Sequence, residues 1–448
     1  MNQPSLPMEL PPAQEPPVPA PTRREEARLL QPVRDQMEMV VRHLDSVVPE
    51  DHPVRAVWDF LGSLDLSAFY AGIKAVGDQP GRPATDPQVL LALWLYATVE
   101  GVGSARRLEA LCQEHDAYRW LCGGVPVNYH TLSDFRVTHQ GELEGLLTEI
   151  LASMMAAGLV QLKQVAQDGV KVRASAGAGS FRRRDRLEQC LAEAEAQVQR
   201  LAQERDRPDP GVTRREEAAR ERAVQERRER VQRALGQLPA VQELKGGRRR
   251  TQGRAKREKI TEARVSTTDP DARVMKMADG GYRPAYNVQL ATAVGSGAIV
   301  GVAVVNQGND TGQGVPMESQ VAQRTGVHPG AYLVDGGYAQ RETITALQER
   351  QVAVYAPVRP PRTTTSGRER STPRSDDTPA VVAWRKRMET EDAKGLYKLR
   401  AATAEWANAQ VRSHGLLPCT VRGLDKVLSG VLLVVIAHNL MRWLALTA

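Results

Sequence analysis

A chain of 448 residues, 41% hydrophobic and 25% charged, has the composition of an ordinary soluble globular protein and enough length for two or three domains around a sizeable core. Its four cysteines, Cys112, Cys122, Cys190 and Cys419, include no Cys-x-x-Cys pair, which excludes a zinc ribbon or disulfide framework and fits a reducing compartment. The net charge of +7 is concentrated: residues 181–260 carry 23 Lys and Arg against 14 Asp and Glu, leaving the remainder about two negative.

Residues 1–34 are proline-rich without an apolar run, so they read as a disordered, partly extended tail and neither a signal peptide nor an anchor. Residues 35–160 read as an all-α N-terminal domain. In "ATDPQVLLALWLYATVEGV", Asp86 is placed as the N-cap and Pro87 in the first turn, ahead of apolar residues at helical spacing. "SARRLEALCQEHDAYRWLCGG" and "TLSDFRVTHQGELEGLLTEILASMMAAGL" continue the pattern. With Arg106, Arg107, Arg119 and Arg136 expected on exposed faces, the region suits DNA binding, although a plain helical bundle predicts the same pattern.

From residue 161 the periodicity changes. "LVQLKQVAQDGVKVRAS" contains a short β-type run ending at Asp168, followed by Gly169. Residues 181–261 then form an Arg-rich helical insertion, with opposite charges three and four apart and a break at Pro208–Gly211. Its stripe of Leu187, Cys190, Leu191, Ala194, Val198 and Leu201 suits a helical hairpin packed on itself. The insertion is either a solvated spacer or an arm against phosphates; Arg182 and Arg183 begin it, and the cation-rich "KGGRRRTQGRAKREK" ends it.

From residue 262, strands in a meander give way to alternating helix and strand: "GVPMESQVAQRTG", "AYLVDGG", "QRETITALQER", "VAVYAPV". That order predicts an α/β fold with a mixed sheet flanked by helices. Residues 360–380 read as a flexible loop. The last apolar stretch is interrupted by His438, Asn439 and Arg442, so it reads as a buried core helix and no membrane partner is expected.

Three acids stand out. In "AYLVDGGYAQ", Asp335 ends a buried strand; Gly336 and Gly337 read as a turn in which glycine tolerates positive φ. Asp168 ends a strand that is a candidate neighbour. Glu405 lies in the helical run "KGLYKLRAATAEWANAQVRSHG", and at 100° per residue it falls within about 60° of Asn408 and Arg412. Two strand-end aspartates and a helix glutamate make a carboxylate cluster that can hold divalent cations. Asp310, in "NQGNDTG", reads as a loop cap or an approach to the same metals. Asn287 and Gln289 either face the site or line a sheet face, and Tyr338 and Trp406 either stack on DNA bases or cover the core.

The segments "VPEDHPVRAVWDF", "TDPQVLLALWLYA", "QDGVKVRASAGAGSFRR", "TDPDARVMK", "YNVQLATA", "LVDGGYAQ", "WRKRMETEDAKGLYKLRAATAEWANAQVR" and "VRGLDKV" together resemble bacterial insertion-sequence transposases of the DDE class, from about residue 45 to the C-terminus. The resemblance implies an RNase H-like catalytic domain in residues 161–180 and 262–448, with Asp168, Asp335 and Glu405 as catalytic triad and metal ligands. It implies two Mg²⁺ ions, replaceable by Mn²⁺, which at ~3.5–4 Å apart stabilise both the attacking and the leaving oxygen of DNA cleavage and strand transfer. The implied partners are double-stranded DNA, at the element's terminal inverted repeats and the target, and a second copy of the chain on that DNA. The implied location is cytoplasmic, at the nucleoid. Tyr397, Arg400, Glu405 and Arg412 approximate the family's Tyr-Arg-Glu-Lys signature, with DNA-binding roles for Tyr397, Arg400, Arg412 and Asn408. Arg400 is one residue farther from the glutamate than usual, about 140° away on an ideal helix, and arginine replaces the terminal lysine. "HPVR", residues 52–55, matches a short tyrosine-recombinase pattern but lacks its basic context. The competing reading is a catalytically decayed, sequence-specific DNA-binding relative.

Overall fold

A computed structural model describes residues 41–76, 82–205, 213–250, 262–358, 372–416 and 419–447. The expected N-terminal tail, the hairpin break at Pro208–Gly211, and most of both the cation-rich end of the insertion and the 360–380 loop lie outside these residues. From Leu44 onward the chain forms one compact unit.

Seven helices come first: α1 (Pro53–Gly62), α2 (Ser67–Tyr70), α3 (Pro87–Val99), α4 (Ala105–Glu114), α5 (Asp116–Cys122), α6 (Tyr129–Thr138) and α7 (Gln140–Ala156). The Asp86 side chain accepts from Gln88 N at 2.8 Å and Pro87 opens α3, as the sequence predicts. Nearly every residue of α3 is buried, which its unbroken apolar composition requires. Arg106 lies over the Tyr129 ring, Arg107 pairs with Glu114 and Arg119 with Asp116, all at the surface. Arg136 departs from expectation. It is buried, its guanidinium 4.5 Å from the Trp94 ring centre and donating to Gly103 O at 2.8 Å. A cation on a helix face reads as solvated only until an aromatic ring and a loop carbonyl give it partners.

Strand β1 (Gln164–Arg173) begins the sheet and β2 (Phe181–Arg182) leads into the insertion, α8 (Arg184–Arg205) and α9 (Arg214–Arg250). Leu187 packs with Val231, Ala234 and Leu238, so the expected hairpin closes on its predicted stripe. Arg182 pairs with Val265 of β3 (Val265–Ser266), and Arg183 lies 3.4 Å from Glu262. Arg233 and Gln237 of α9 both donate to the Asp271 carboxylate, at 2.7 and 2.6 Å, and so dock the hairpin.

The sheet is completed by β4 (Arg273–Lys276), β5 (Tyr282–Ala293), β6 (Ile299–Val305), β7 (Ala331–Leu333) and β8 (Ala353–Tyr355). Its order is β4-β5-β1-β7-β8, and β6 pairs β5 beyond the end of β4. Neighbours of β5 run antiparallel, whereas β1-β7 and β7-β8 are parallel. Helix α10 (Gly314–Thr325) packs on β6, where Gly301 makes room for Met317 and Val321. After α11 (Arg341–Glu349) and α12 (Pro379–Arg387), α13 (Glu391–Arg400) runs through a π turn (Ala401–Glu405) into α14 (Trp406–Val411). Ala404 of that turn packs with Ala166 and Leu333 on the sheet face away from α10.

The last helix, α15 (Leu424–Thr447), is long and apolar enough to cross a membrane by length and composition, but two thirds of its apolar window is buried within the protein. The three polar residues that interrupt it share one task. His438 Nε2 lies 2.9 Å from Gly297 O, Asn439 bonds both the N and the O of Ile299, and Arg442 donates to Ser296 O at 2.7 Å. They satisfy the backbone of the β5–β6 turn, which would otherwise be buried without partners.

Candidate active site

Parallel pairing of β1 with β7 matches Gln164 with Ala331, Val165 with Tyr332 and Ala166 with Leu333. The ladder ends there, two residues short of Asp168 and Asp335, and the Asp335 charge is near enough to act on the Asp168 carboxyl. The two strands are neighbours, as the sequence suggests, but Asp168 does not end its strand: β1 continues to Arg173 because β5 pairs with it throughout. Asp335 lies just past the end of β7. Its Oδ1 accepts from Gly337 N at 2.6 Å, an Asx-type turn, and a Cβ at Gly337 would meet that oxygen at 2.8 Å. Neither Gly336 nor Gly337 has a positive φ. The requirement at 337 is therefore closeness to the carboxylate rather than backbone hand.

Arg400 Nη2 approaches Asp168 Oδ1 at 3.1 Å, and Asn408 Nδ2 donates to Asp168 Oδ2 at 3.1 Å. Burial pushes the Asp168 carboxyl above its usual range; the Arg400 charge and the Gly169 N–H oppose the rise, while Asp335 and Asp310 add to it. Burial likewise raises Tyr397, with the Arg400 guanidinium opposing. Glu405 ends the π turn on its exposed side, and Arg412 is also exposed. Because a π turn closes i→i+5 bonds, it absorbs the additional residue between Arg400 and Glu405 and narrows the ~140° offset of an ideal α-helix. Trp406 points away from the acids, against Gly297, His438 and Arg442.

Alternation along the paired strands places Gln167, Gly169, Asn287 and Gln289 on the face opposite Asp168. There Asn287 Nδ2 and Gln289 Nε2 both donate to Asp310 Oδ1, at 2.9 and 2.7 Å. Tyr338 is fully buried and its hydroxyl donates to Gln289 Oε1 at 2.5 Å, so in this arrangement its ring covers the core and is not presented to a base. Burial and the Asp310, Asp168 and Asp335 charges hold its phenol far above the usual range, which keeps it a donor. The structure therefore gathers Asp168, Asp335, Arg400, Asn408 and Tyr397 at one edge and sets Glu405 and Arg412 outside that group. Arg106, Arg107, Arg182 and Arg183 belong to other parts of the surface.

Among the described residues, no three His, Cys, Asp or Glu side chains converge with the geometry of a metal site. The acids fit a hard divalent cation in kind, since all are carboxylates; Asn287 Oδ1, a buried oxygen without a hydrogen bond, lies on the other face of the sheet. The Asp310 amide cradle escaped sequence reasoning, although two amides at alternate positions of the otherwise apolar "YNVQLATA" are its signal.

Two family models match the chain: Transposase domain (DUF772) over residues 42–138 and Transposase DDE domain over residues 260–440. The chain belongs to the DDE transposases. The DDE match takes in Asp310, Asp335 and Glu405 of this transposase and begins after β1, so Asp168 lies between the two matched regions. The sheet of the transposase, antiparallel on the β5 side and parallel on the β7 side of β1, is the RNase H-like fold of its class. No curated protein and no solved structure matches the transposase.

Proposed function

We propose that this DDE transposase cleaves DNA at the ends of an insertion element and joins the freed 3′-hydroxyl to target DNA, using Asp168, Asp335 and Glu405. The observation that supports this reading is the parallel pairing of β1 with β7, which brings Asp168 on β1 near Asp335 just past the end of β7. A bound Mg²⁺ pair, or Mn²⁺ in its place, supplies the charge that stabilises attacking and leaving oxygens. Asp168 would hold that charge from within β1, and Asp335 from the turn just past β7, where its bond to Gly337 N fixes it. Asn408 orients the Asp168 carboxylate, and Glu405 reaches the pair from the exposed side of the π turn. Arg400 and Arg412, beside Tyr397, meet the DNA phosphates. Water loses a proton as it attacks the phosphodiester at the element end, and the 3′-oxygen leaves and takes one; the 3′-hydroxyl so formed gives up its proton as it attacks a target phosphodiester in the same site, whose own 3′-oxygen leaves protonated. Each step is an in-line displacement, so no covalent enzyme intermediate forms. Two ends must be joined, so a dimer on the inverted repeats is part of the reading, as are DNA contacts by Arg106, Arg107, Arg182 and Arg183.

The test is Mg²⁺-dependent cleavage of DNA carrying the inverted repeats that flank the coding sequence. The wild-type chain should cut it, and Asp335→Asn should bind it without cutting; cutting by that variant overturns the assignment. The Arg400 and Asn408 contacts on Asp168, with Glu405 outside the pair, favour one second reading, a relative that binds element ends without cleaving them. Tight wild-type binding with no cleavage would select it.

A further inference from the structure

The ladder between β1 and β7 ends at Ala166 and Leu333, two residues before each of the two aspartates. Past that point Asp335 is carried by a turn, and its distance from Asp168 depends on what holds the turn to the sheet. Val334 N donates to Tyr355 O at 3.0 Å, which ties the turn to β8, on the far side of β7 from β1. Inside the turn, Gly337 N bonds the Asp335 carboxylate and Tyr338 N donates to Asp335 O at 3.2 Å. Those bonds set the turn's shape, and none of them reaches β1.

A tie on the β1 side comes through Tyr338. Its side chain is fully buried, and its Oη donates to Gln289 Oε1 at 2.5 Å. Gln289 stands opposite Gly169 in the β1–β5 ladder, so the bond lands beside the residue that follows Asp168. Gln289 itself has little freedom. Its Nε2 donates to Asp310 Oδ1 at 2.7 Å, and its Oε1 also accepts from Gln167 Nε2 at 2.8 Å. A carboxylate only accepts, so Asp310 draws the amide nitrogen and turns the amide oxygen toward Tyr338 and Gln167. A Cβ at residue 169 would come within 2.6 Å of Gln289 Nε2, so the glycine leaves the amide its room. Buried polar groups cost stability unless each finds a partner, and apolar side chains would fill the same space without that cost. What the amides add is a fixed direction for one hydrogen bond.

We infer that Tyr338 is a positioning residue for Asp335: its bond to Gln289 holds the turn that carries Asp335 at a set distance from Asp168. The inference deepens the proposed function and rests on it. Tyr332 supplies the comparison. Its hydroxyl donates to Gln167 Oε1 at 2.8 Å in the same buried network, but it sits within β7, paired with Val165 on one side and Val354 on the other.

Tyr338→Phe and Tyr332→Phe each keep the ring and remove one bond of the network. In the metal-free chain, amide hydrogen exchange over residues 334–340, followed by mass spectrometry, should quicken about tenfold in Tyr338→Phe and keep the wild-type rate in Tyr332→Phe. On DNA carrying the flanking inverted repeats, with Mg²⁺, Tyr338→Phe should lower kcat about tenfold and leave KM within about twofold, because the carboxylate is displaced while the DNA contacts remain. Gln289→Asn is one methylene shorter and falls short of spanning Asp310 and Tyr338. It should reproduce both effects, and adding Tyr338→Phe to it should change nothing further, which keeps the inference open to test should Tyr338→Phe melt below the assay temperature. Wild-type exchange and kcat in these variants, or equal losses in Tyr332→Phe, overturn the inference and leave the proposed function standing. A wild-type chain that cleaves no such DNA overturns the proposed function and, with it, the part given to Tyr338.

Discussion

Arg400 and Asp168 form an ion pair at 3.1 Å in which both side chains are mostly buried, and the arginine comes from the helix while the acid comes from the middle of the sheet. The guanidinium is the positive charge nearest to a carboxylate that burial, Asp335 and Asp310 all push toward protonation. Arg400→Ala should therefore raise the Asp168 pKa further and move the acid limb of the cleavage pH profile upward, with Arg400→Lys recovering much of the shift. The sign for stability follows from the raised folded-state value. Ionising Asp168 works against the fold as pH rises through that value, so the variant's loss, about 2 kcal/mol, should be largest at pH 8 and shrink in acid. Urea unfolding at the two pH values measures it.

Gly169→Ala should destabilise the chain by about 1–3 kcal/mol, because its methyl group meets three polar atoms of the Asp310 cradle below 3 Å. Gly177→Ala is the control. Its φ is −83° and a Cβ there has nothing within 4 Å, so the change should stay within about 0.5 kcal/mol. Equal losses at both positions would remove the steric argument.

His438 should make the fold acid-sensitive. It is almost wholly buried beside His414, Trp406 and Arg442, and burial holds its imidazole down at about 4. The unfolded chain takes up a proton near pH 6.5 that the folded chain refuses until about 4, so this stability is complete above the upper value and falls through the window. Between pH 7 and pH 5 the loss should be about 2 kcal/mol. His438→Gln, which keeps a donor for Gly297 O, should lose about that much less over the same interval in denaturant titrations.

Glu144 of α7 and Arg324 of α10 join the helical region to the sheet, and the Arg324 side chain is only 4% exposed. Glu144→Ala leaves that guanidinium buried without its carboxylate and should cost about 3 kcal/mol. The double variant Glu144→Leu/Arg324→Met should cost less than the single one, since it removes the buried charge as well. A thermodynamic cycle by chemical unfolding checks both.

Much of the fold was legible because its signals are local. The Asp86–Pro87 start of α3, the hairpin stripe from Leu187, and the alternation of helix and strand after residue 314 each need only neighbouring residues to be read. The pairing that brings Asp168 near Asp335 was legible only as two strand ends, and one of these was misplaced, because the extension of β1 depends on a partner more than a hundred residues away. Arg136 read as a surface group, and Tyr338 stayed open between a base-stacking and a core-covering role, for the same reason: a ring or an amide from a distant segment decides their burial. The Asp310 cradle assembles β1, β5 and a loop, and no single window of sequence contains it.

The π turn at Ala401–Glu405 has a consequence for how such chains are compared. One surplus residue in an ordinary helix swings everything after it by about 100°, yet here Asn408 still reaches the sheet. The insertion is swallowed where it occurs. A signature written as a fixed count of residues between arginine and glutamate would discard this chain, whereas one counted in helical turns would keep it, and deleting a single alanine from the widened turn should leave the downstream face aimed as before.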